Sequence, residues 1–230
     1  MSKIALVTGA NKGIGFAAAH GLAKAGFHVF VAARDTERGE EAAEKIRSEG
    51  YAAQFVTIDV TDEQSIVSAA REIAEEWEGI DVLVNNAAIN LDEGRGVTEV
   101  PLEEWKETFQ TNVWGVLLMT QAFWPLLQHS TDARVINVSS GLGRLYDMEN
   151  ESPSYSASKT AVNALTRLFA DAGDGEISVN CINPGWVKTD MGGQNAERTP
   201  DQGAAIILKL ATMENPPTGQ FLQDSGEIGW

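Results

Sequence analysis

Short apolar runs rich in β-branched residues alternate along this chain with longer stretches of helical periodicity, and that alternation leaves few folds open. The runs are Ile4–Thr8, Val29–Ala32, Ala53–Ile58, Val82–Val84, Val135–Val138 and Val179–Ile182. Between them lie Ile14–Ala25, Glu37–Glu49, Gln64–Trp77, Glu103–Gln128, Ser156–Ala170 and Pro200–Ala211, each with the spacing of an amphipathic helix. Strands that are apolar throughout, rather than alternating, suit a parallel sheet covered on both faces. Strand and helix in strict turn, joined by right-handed crossovers, then give an α/β fold with a doubly wound parallel sheet of Rossmann type. No Pro/Gly/Ser linker, low-complexity tract or internal repeat cuts the 230 residues, so a single domain over 1–230 is expected.

Composition narrows the partners. At 43% hydrophobic and 22% charged the chain is neither collagen-like, coiled-coil nor disordered. Its 17 basic and 33 acidic residues leave a net charge of −16, which disfavours nucleic acid and anionic membrane. Cys181 is the single cysteine, so no internal disulfide can form. The opening residues run straight into a strand and a glycine turn, and no apolar run approaches the ~18 residues of a membrane helix. The expected setting is a cytoplasmic, soluble protein. The Asn-x-Ser triplets at Asn137 and Asn150 are then chance matches.

Ligands on doubly wound sheets sit at the carboxyl ends of the strands, so the residues after each strand carry the functional reading. The first strand is followed by Thr8-Gly9-Ala10-Asn11-Lys12-Gly13-Ile14-Gly15 and then a helix. Glycines allow a sharp turn and let a pyrophosphate approach the free N–H groups at the helix start. The spacing is not G-x-G-x-x-G, and a ligand-free strand–helix turn could carry the same glycines.

A second signal is Tyr155-Ser156-Ala157-Ser158-Lys159 at a helix start. A spacing of four puts phenol and ammonium on one face, one turn apart. An ammonium so placed is expected to lower the tyrosine pKa from ~10 toward neutrality, as acid–base work requires. A surface pair on an ordinary helix is the plainer alternative. Ser139 and Ser140 end the fifth strand at the same sheet edge, where a hydroxyl can hold a carbonyl oxygen.

With these residues in view the chain resembles the short-chain dehydrogenase/reductase family along essentially its whole length. The resemblance rests on an ordered series: Gly9, Gly13 and Gly15; Asp59-Val60; Asn85-Asn86-Ala87-Ala88; Asn112-Val113-Trp114-Gly115; Ser139-Ser140; Tyr155 and Lys159; Asn183-Pro184-Gly185. Within the family it resembles the NADPH-dependent carbonyl reductases most, through Ala32-Ala33-Arg34-Asp35 with Arg38-Gly39, Pro184 to Met191, and Gly219-Gln220-Phe221 to Trp230. Two departures stand out. Ala88 occupies the place of the family's usual glycine, and the long insertion that animal carbonyl reductases carry before the tyrosine is absent.

The resemblance implies NADP(H) as cofactor and hydride transfer to an aldehyde or ketone, with reversible alcohol oxidation. It implies Tyr155 as proton donor, Lys159 as its electrostatic partner and ribose ligand, Ser140 as substrate orienter and Asn112 as support for a water-linked proton path. Cofactor contacts would come from Gly9, Asn11, Lys12, Gly13, Ile14, Gly15, Asp59, Val60, Asn86, Tyr155, Lys159, Pro184, Gly185, Val187 and Thr189. An NAD enzyme places an acid just after the second strand; here a small residue stands there, followed by Arg34, with Arg38 four residues on. Those arginines suit a 2′-phosphate, unless Asp35 turns inward to the 2′-hydroxyl.

Trp186 could line the substrate entrance beside Ser140 and Tyr155. Scattered His20, His28 and His129 offer no metal site. A 3-ketoacyl thioester reductase and a non-catalytic NADP(H)-binding sensor share the fold and stay open. The sequence further suggests a dinucleotide-binding part over 1–140, a catalytic and substrate part over 140–230, and a homodimer or homotetramer.

Overall fold

The computed structural model describes residues 2–230. One eight-stranded sheet is ordered β3-β2-β1-β4-β5-β6-β7-β8. Its strands are β1 (Ile4–Thr8), β2 (His28–Ala33), β3 (Ala53–Thr57), β4 (Val82–Asn85), β5 (Ala133–Val138), β6 (Ile177–Ile182), β7 (Phe221–Gln223) and β8 (Gly226–Glu227). All neighbours run parallel except β7 and β8. The helices are α1 (Gly13–Lys24), α2 (Thr36–Ser48), α3 (Glu63–Glu76), α4 (Leu102–Phe109), α5 (Gly115–Leu127), α6 (Pro153–Ala172) and α7 (Pro200–Thr212).

Side-chain alternation along β1 explains the two layers. Ala5 and Val7 enter a core shared with α1, α2 and α7, while Ile4 and Leu6 enter one shared with α3 and α5. A strand apolar on both faces therefore sits mid-sheet, as its unbroken run required. Helix starts follow local chemistry. Asp35 caps α2, Asp62 caps α3, and Thr199 with Gln202 forms a reciprocal capping box on α7.

Three features depart from the sequence reading. The expected helix over Glu103–Gln128 is α4 and α5 joined by a π turn, Gln110–Trp114. The tail adds β7 and β8, with Phe221 paired to Cys181 and Leu222 to Ile182. The helix carrying Tyr155 and Lys159 begins earlier than Ser156, at Pro153. Cys181 lies buried in the sheet as expected. Trp77, Trp105 and Trp124 pack on aromatic neighbours, against His28 and Phe30, Phe109, and Phe169 respectively.

Candidate active site

The sheet order reverses at β1, whose neighbours β2 and β4 lead to helices on opposite faces, and a crevice opens at their carboxyl ends. One hydroxyl ties its floor together. Thr8 Oγ1 donates to the Val84 carbonyl and accepts the backbone N–H groups of Asn86 (2.9 Å) and Ala87 (3.1 Å). The Asn86 amide donates to the Thr8 carbonyl at 2.8 Å and to that of Gly9 at 3.3 Å. Thr8 was not singled out in the sequence, because its role depends on β4 lying alongside.

Gly9 and Gly13 have φ of +63° and +58°, conformations that L side chains rarely adopt. A Cβ at Gly15 would lie 2.4 Å from the Gly9 carbonyl oxygen, so only glycine lets the helix start this close to the turn. The α1 start has neither a side-chain cap at Lys12 nor an acid in its first turn, unlike α2, α3 and α7. Its free N–H groups and positive dipole end thus face the crevice unopposed, a fit for a pyrophosphate. Asn11 sits half-buried in this turn, and Ile14 packs inward on the core.

Arg34 and Arg38 are both exposed beyond β2. The Asp35 carboxylate accepts the Arg38 backbone N–H at 3.1 Å and lies 3.7 Å from its Nε. It is committed to the α2 cap rather than turned inward. Lys12, expected among the cofactor contacts, pairs with Asp190 from the segment after β6. That partner was not read from the sequence, since 178 residues separate the two.

Around the rest of the crevice, Asp59 accepts the Thr61 hydroxyl and N–H, and Val60 is buried against Gly115. Beyond β6, Asn183 accepts the Gly185 N–H, and Pro184 and Val187 are buried. The Thr189 methyl lies over Gly13. Trp186 is exposed, its Nε1–H donating to the Gly192 carbonyl at 2.8 Å.

At the end of β5 stands the second cluster. Tyr155 and Lys159 are buried on one face of α6, with the ammonium 5.5 Å from the phenol ring centre. Lys159 Nζ donates to the Val138 carbonyl at 2.8 Å. The Ser140 hydroxyl lies beside the Tyr155 phenol and accepts the Leu142 N–H, capping a single 3₁₀ turn, Gly141–Gly143. Ser139 instead bonds Asn163 at 2.6 Å and belongs to the packing beneath.

The expected fall in the tyrosine pKa does not occur. Burial pushes the Tyr155 phenol up to about 12, and the Ser140 hydrogen bond recovers only part of that. Burial also draws Lys159 down to about 8. Helical spacing gives proximity, but the ammonium is turned to Val138 and water is excluded from both groups, so desolvation dominates. The resulting pair is a protonated phenol beside an ammonium at neutral pH.

Asn112 is fully buried in the π turn. Its Oδ1 accepts the Ile89 N–H, and its amide donates to the Ile89 carbonyl and to Ser158 Oγ, at 2.8, 2.8 and 3.0 Å. It therefore clamps the segment following β4 to α6. Among the described residues no His/Cys/Asp/Glu cluster could hold a metal, and no helix is long and apolar enough to cross a membrane.

With a glycine turn at the switch point and a Ser–Tyr–Lys cluster at the same sheet edge, residues 3–200 match the family model described as short chain dehydrogenase. The chain belongs to the short-chain dehydrogenases. It is 35% identical to the Penicillium roqueforti short-chain dehydrogenase anuI over 99% of this chain and 97% of that one. It is 33% identical to the Sus scrofa NADPH carbonyl reductase 1, covering 100% and 94%. Among solved structures, NADPH-bound carbonyl reductase from chicken fatty liver superposes with a TM-score of 0.90, at 32% identity and 100% and 99% coverage. A Shigella flexneri short-chain dehydrogenase complexed with NADP gives 0.89, at 28% identity and 95% coverage of both chains.

Proposed function

We propose that the protein is an NADP(H)-dependent reductase of aldehydes or ketones, reversible as an alcohol dehydrogenase. The observation that carries this reading is the convergence of Ser140, Tyr155 and Lys159 at the sheet edge that also presents the uncapped α1 terminus. The intact cluster argues against a non-catalytic sensor. Residues 1–140 would supply the dinucleotide cleft and residues 140–230 the catalytic and substrate side, in a cytoplasmic homodimer or homotetramer.

The nicotinamide cofactor, when bound, supplies the hydride. The α1 turn, with Gly9, Asn11, Lys12, Gly13, Ile14 and Gly15, would hold its pyrophosphate, and Arg34 and Arg38 its 2′-phosphate. Asp59, Val60 and Asn86 would line the adenine and ribose side, and Pro184, Gly185, Val187 and Thr189 the nicotinamide side. Lys159 would bind the ribose hydroxyls.

Ser140 donates to the substrate carbonyl oxygen and fixes it beside the phenol. Tyr155, protonated at neutral pH, passes its O–H proton to that oxygen as negative charge develops there. The Lys159 ammonium stabilises the phenolate left behind, and Asn112 holds the backbone along which a water could return the proton.

The exposed apolar side chains Leu142, Leu145, Tyr146 and Met148, downstream of Ser140, together with Trp186, suit a carbonyl with an apolar body. An acidic acyl carrier would meet a chain of net charge −16, which places the 3-ketoacyl thioester reading second. Initial rates with NADPH and NADH against ketones, aldehydes, quinones and ketoacyl thioesters test the proposal. NADPH-dependent turnover of free carbonyls is the expected result, and oxidation of neither cofactor by any member of the panel refutes it.

A further inference from the structure

The start of α6 is held from outside the helix. Ser152 precedes it in the left-handed region, at φ +50°, and its side chain does not cap, while Pro153 opens the first turn without an N–H. The cap comes instead from Asp92, 62 residues earlier in the chain. Its Oδ2 accepts the Ser154 N–H at 2.6 Å, and its Oδ1 has no partner. Asp92 is wholly buried. A carboxylate taken fully out of water with one oxygen unmatched costs stability, so its place calls for a compensating role. The helix it caps carries Tyr155 at the next position and Lys159 one turn on.

The segment that delivers this carboxylate is itself tied down. Asp92 N–H donates to Asn90 Oδ1, and the Asp92 carbonyl accepts the Arg95 N–H. The Arg95 guanidinium pairs with Glu104 of α4 and donates to the Leu91 carbonyl. Asn90 reaches Ser152 at 3.5 Å, and Ser154 Oγ donates to Thr108 of α4 at 3.1 Å. With Asn112 clamping Ile89 to Ser158, the stretch 89–92 grips α6 both at its first turn and one turn further on.

We propose that Asp92 is a positioning residue for the reaction: its carboxylate caps α6 in place of a local cap and fixes where the Tyr155 hydroxyl stands against the substrate oxygen. The proposal rests on the reductase reading for its kinetic arm only. A carboxylate at a helix start also complements the dipole, so the position combines a hydrogen bond with a charge. Misplacing a reacting group by about 1 Å costs on the order of a hundredfold in rate, which is why a cap one residue from the phenol matters.

Two measurements test it on the full chain. In the cofactor-free protein, amide hydrogen exchange over residues 153–158 should quicken at least tenfold in Asp92→Ala, with the sheet unchanged. Asp92→Asn, which keeps an acceptor for the Ser154 N–H, should restore protection. In the kinetic arm, kcat is normalised to the NADPH-binding stoichiometry. It should fall at least fivefold in Asp92→Ala with KM for the carbonyl held within about twofold, and return to within threefold of wild type in Asp92→Asn. A merely structural role would lower the binding stoichiometry and leave kcat per occupied site intact. Should Asp92→Ala not fold, Asp92→Ser replaces it, its hydroxyl one bond too short to reach the amide. Unchanged exchange at 153–158, a smaller fall in normalised kcat, or no recovery in Asp92→Asn overturns the proposal. Wild type without NADPH-dependent turnover would instead refute the reductase reading and leave the exchange arm to decide the cap.

Discussion

Asp35 spends its carboxylate on the Arg38 backbone N–H, 3.1 Å away, so the one acid near the end of β2 acts as a helix cap. Arg34 and Arg38 are left exposed beyond β2, Arg38 with its Nε 3.7 Å from the same carboxylate. Arg34→Ala should then lower kcat/KM for NADPH about ten- to hundredfold, the worth of a charged contact of ~1.5–3 kcal/mol, and change NADH little. Parallel cofactor titrations of wild type and variant check this. A wild-type preference for NADH, or equal losses with both cofactors, contradicts it.

Tyr155→Phe removes the proton donor while keeping the ring that packs the site. Carbonyl reduction should fall by at least a thousandfold, with NADPH affinity by fluorescence titration within about threefold of wild type. Substantial residual turnover would assign proton transfer elsewhere.

The Lys159 ammonium, drawn down to about 8 by burial, sets the pH behaviour. On the reductase reading, kcat/KM for reduction should be level below pH 8 and decline above it, since free-enzyme groups govern that ratio. Stability should move the other way. Between pH 8 and 10.5 the unfolded chain holds the lysine proton and the folded chain does not, so this group makes stability rise with pH, against the buried Cys181 thiol, which burial keeps protonated and which opposes it above pH 9. Tyr155 opposes this above pH 10, where the unfolded phenol ionises and the folded one, at about 12, does not. Denaturant unfolding across pH 8–10 should show a rising component in wild type that Lys159→Met lacks.

Gly15→Ala places a methyl 2.4 Å from the Gly9 carbonyl oxygen and 2.5 Å from the Asn86 amide. Backbone cannot yield as a flexible side chain does, so the turn must open. A loss of about 1–3 kcal/mol in stability and a drop of tenfold or more in NADPH affinity are expected.

Leu168 of α6 and Trp114 just before α5 are exposed apolar groups of the kind that the proposed dimer or tetramer would cover. Sedimentation at micromolar concentration and moderate salt should show more than one chain, and Leu168→Glu should shift it toward one. A wild-type protein sedimenting as single chains removes the proposal of an assembly.

The sheet was legible because its first six strands are short apolar runs set between helical stretches, and the glycine turn because only one residue type permits that path. β7 escaped notice since Phe221–Gln223 is too short to show a period and exists by pairing with β6. The π turn at Asn112 has no compositional signature; it is a register shift inside an otherwise ordinary helical pattern. Proximity of Tyr155 and Lys159 could be read from their spacing, but not the burial that governs how they titrate. Asp92 and Asp190 act on partners far away in sequence, at Ser154 and Lys12, and nothing local marks either.

The packing of α1 has a consequence for how the protein comes into being. Its Gly21 lies against Leu208 of α7, and Gly203 of α7 lies against Ile14 and Val187. The apolar back of the helix whose front faces the crevice is thus covered by α7, the last of the seven helices in chain order. A nascent chain can pair β1 with β2 early, yet the crevice acquires its final shape only when α7 arrives from the ribosome. Contacts this distant in sequence slow folding, so the ability to bind a dinucleotide should emerge late and abruptly during translation.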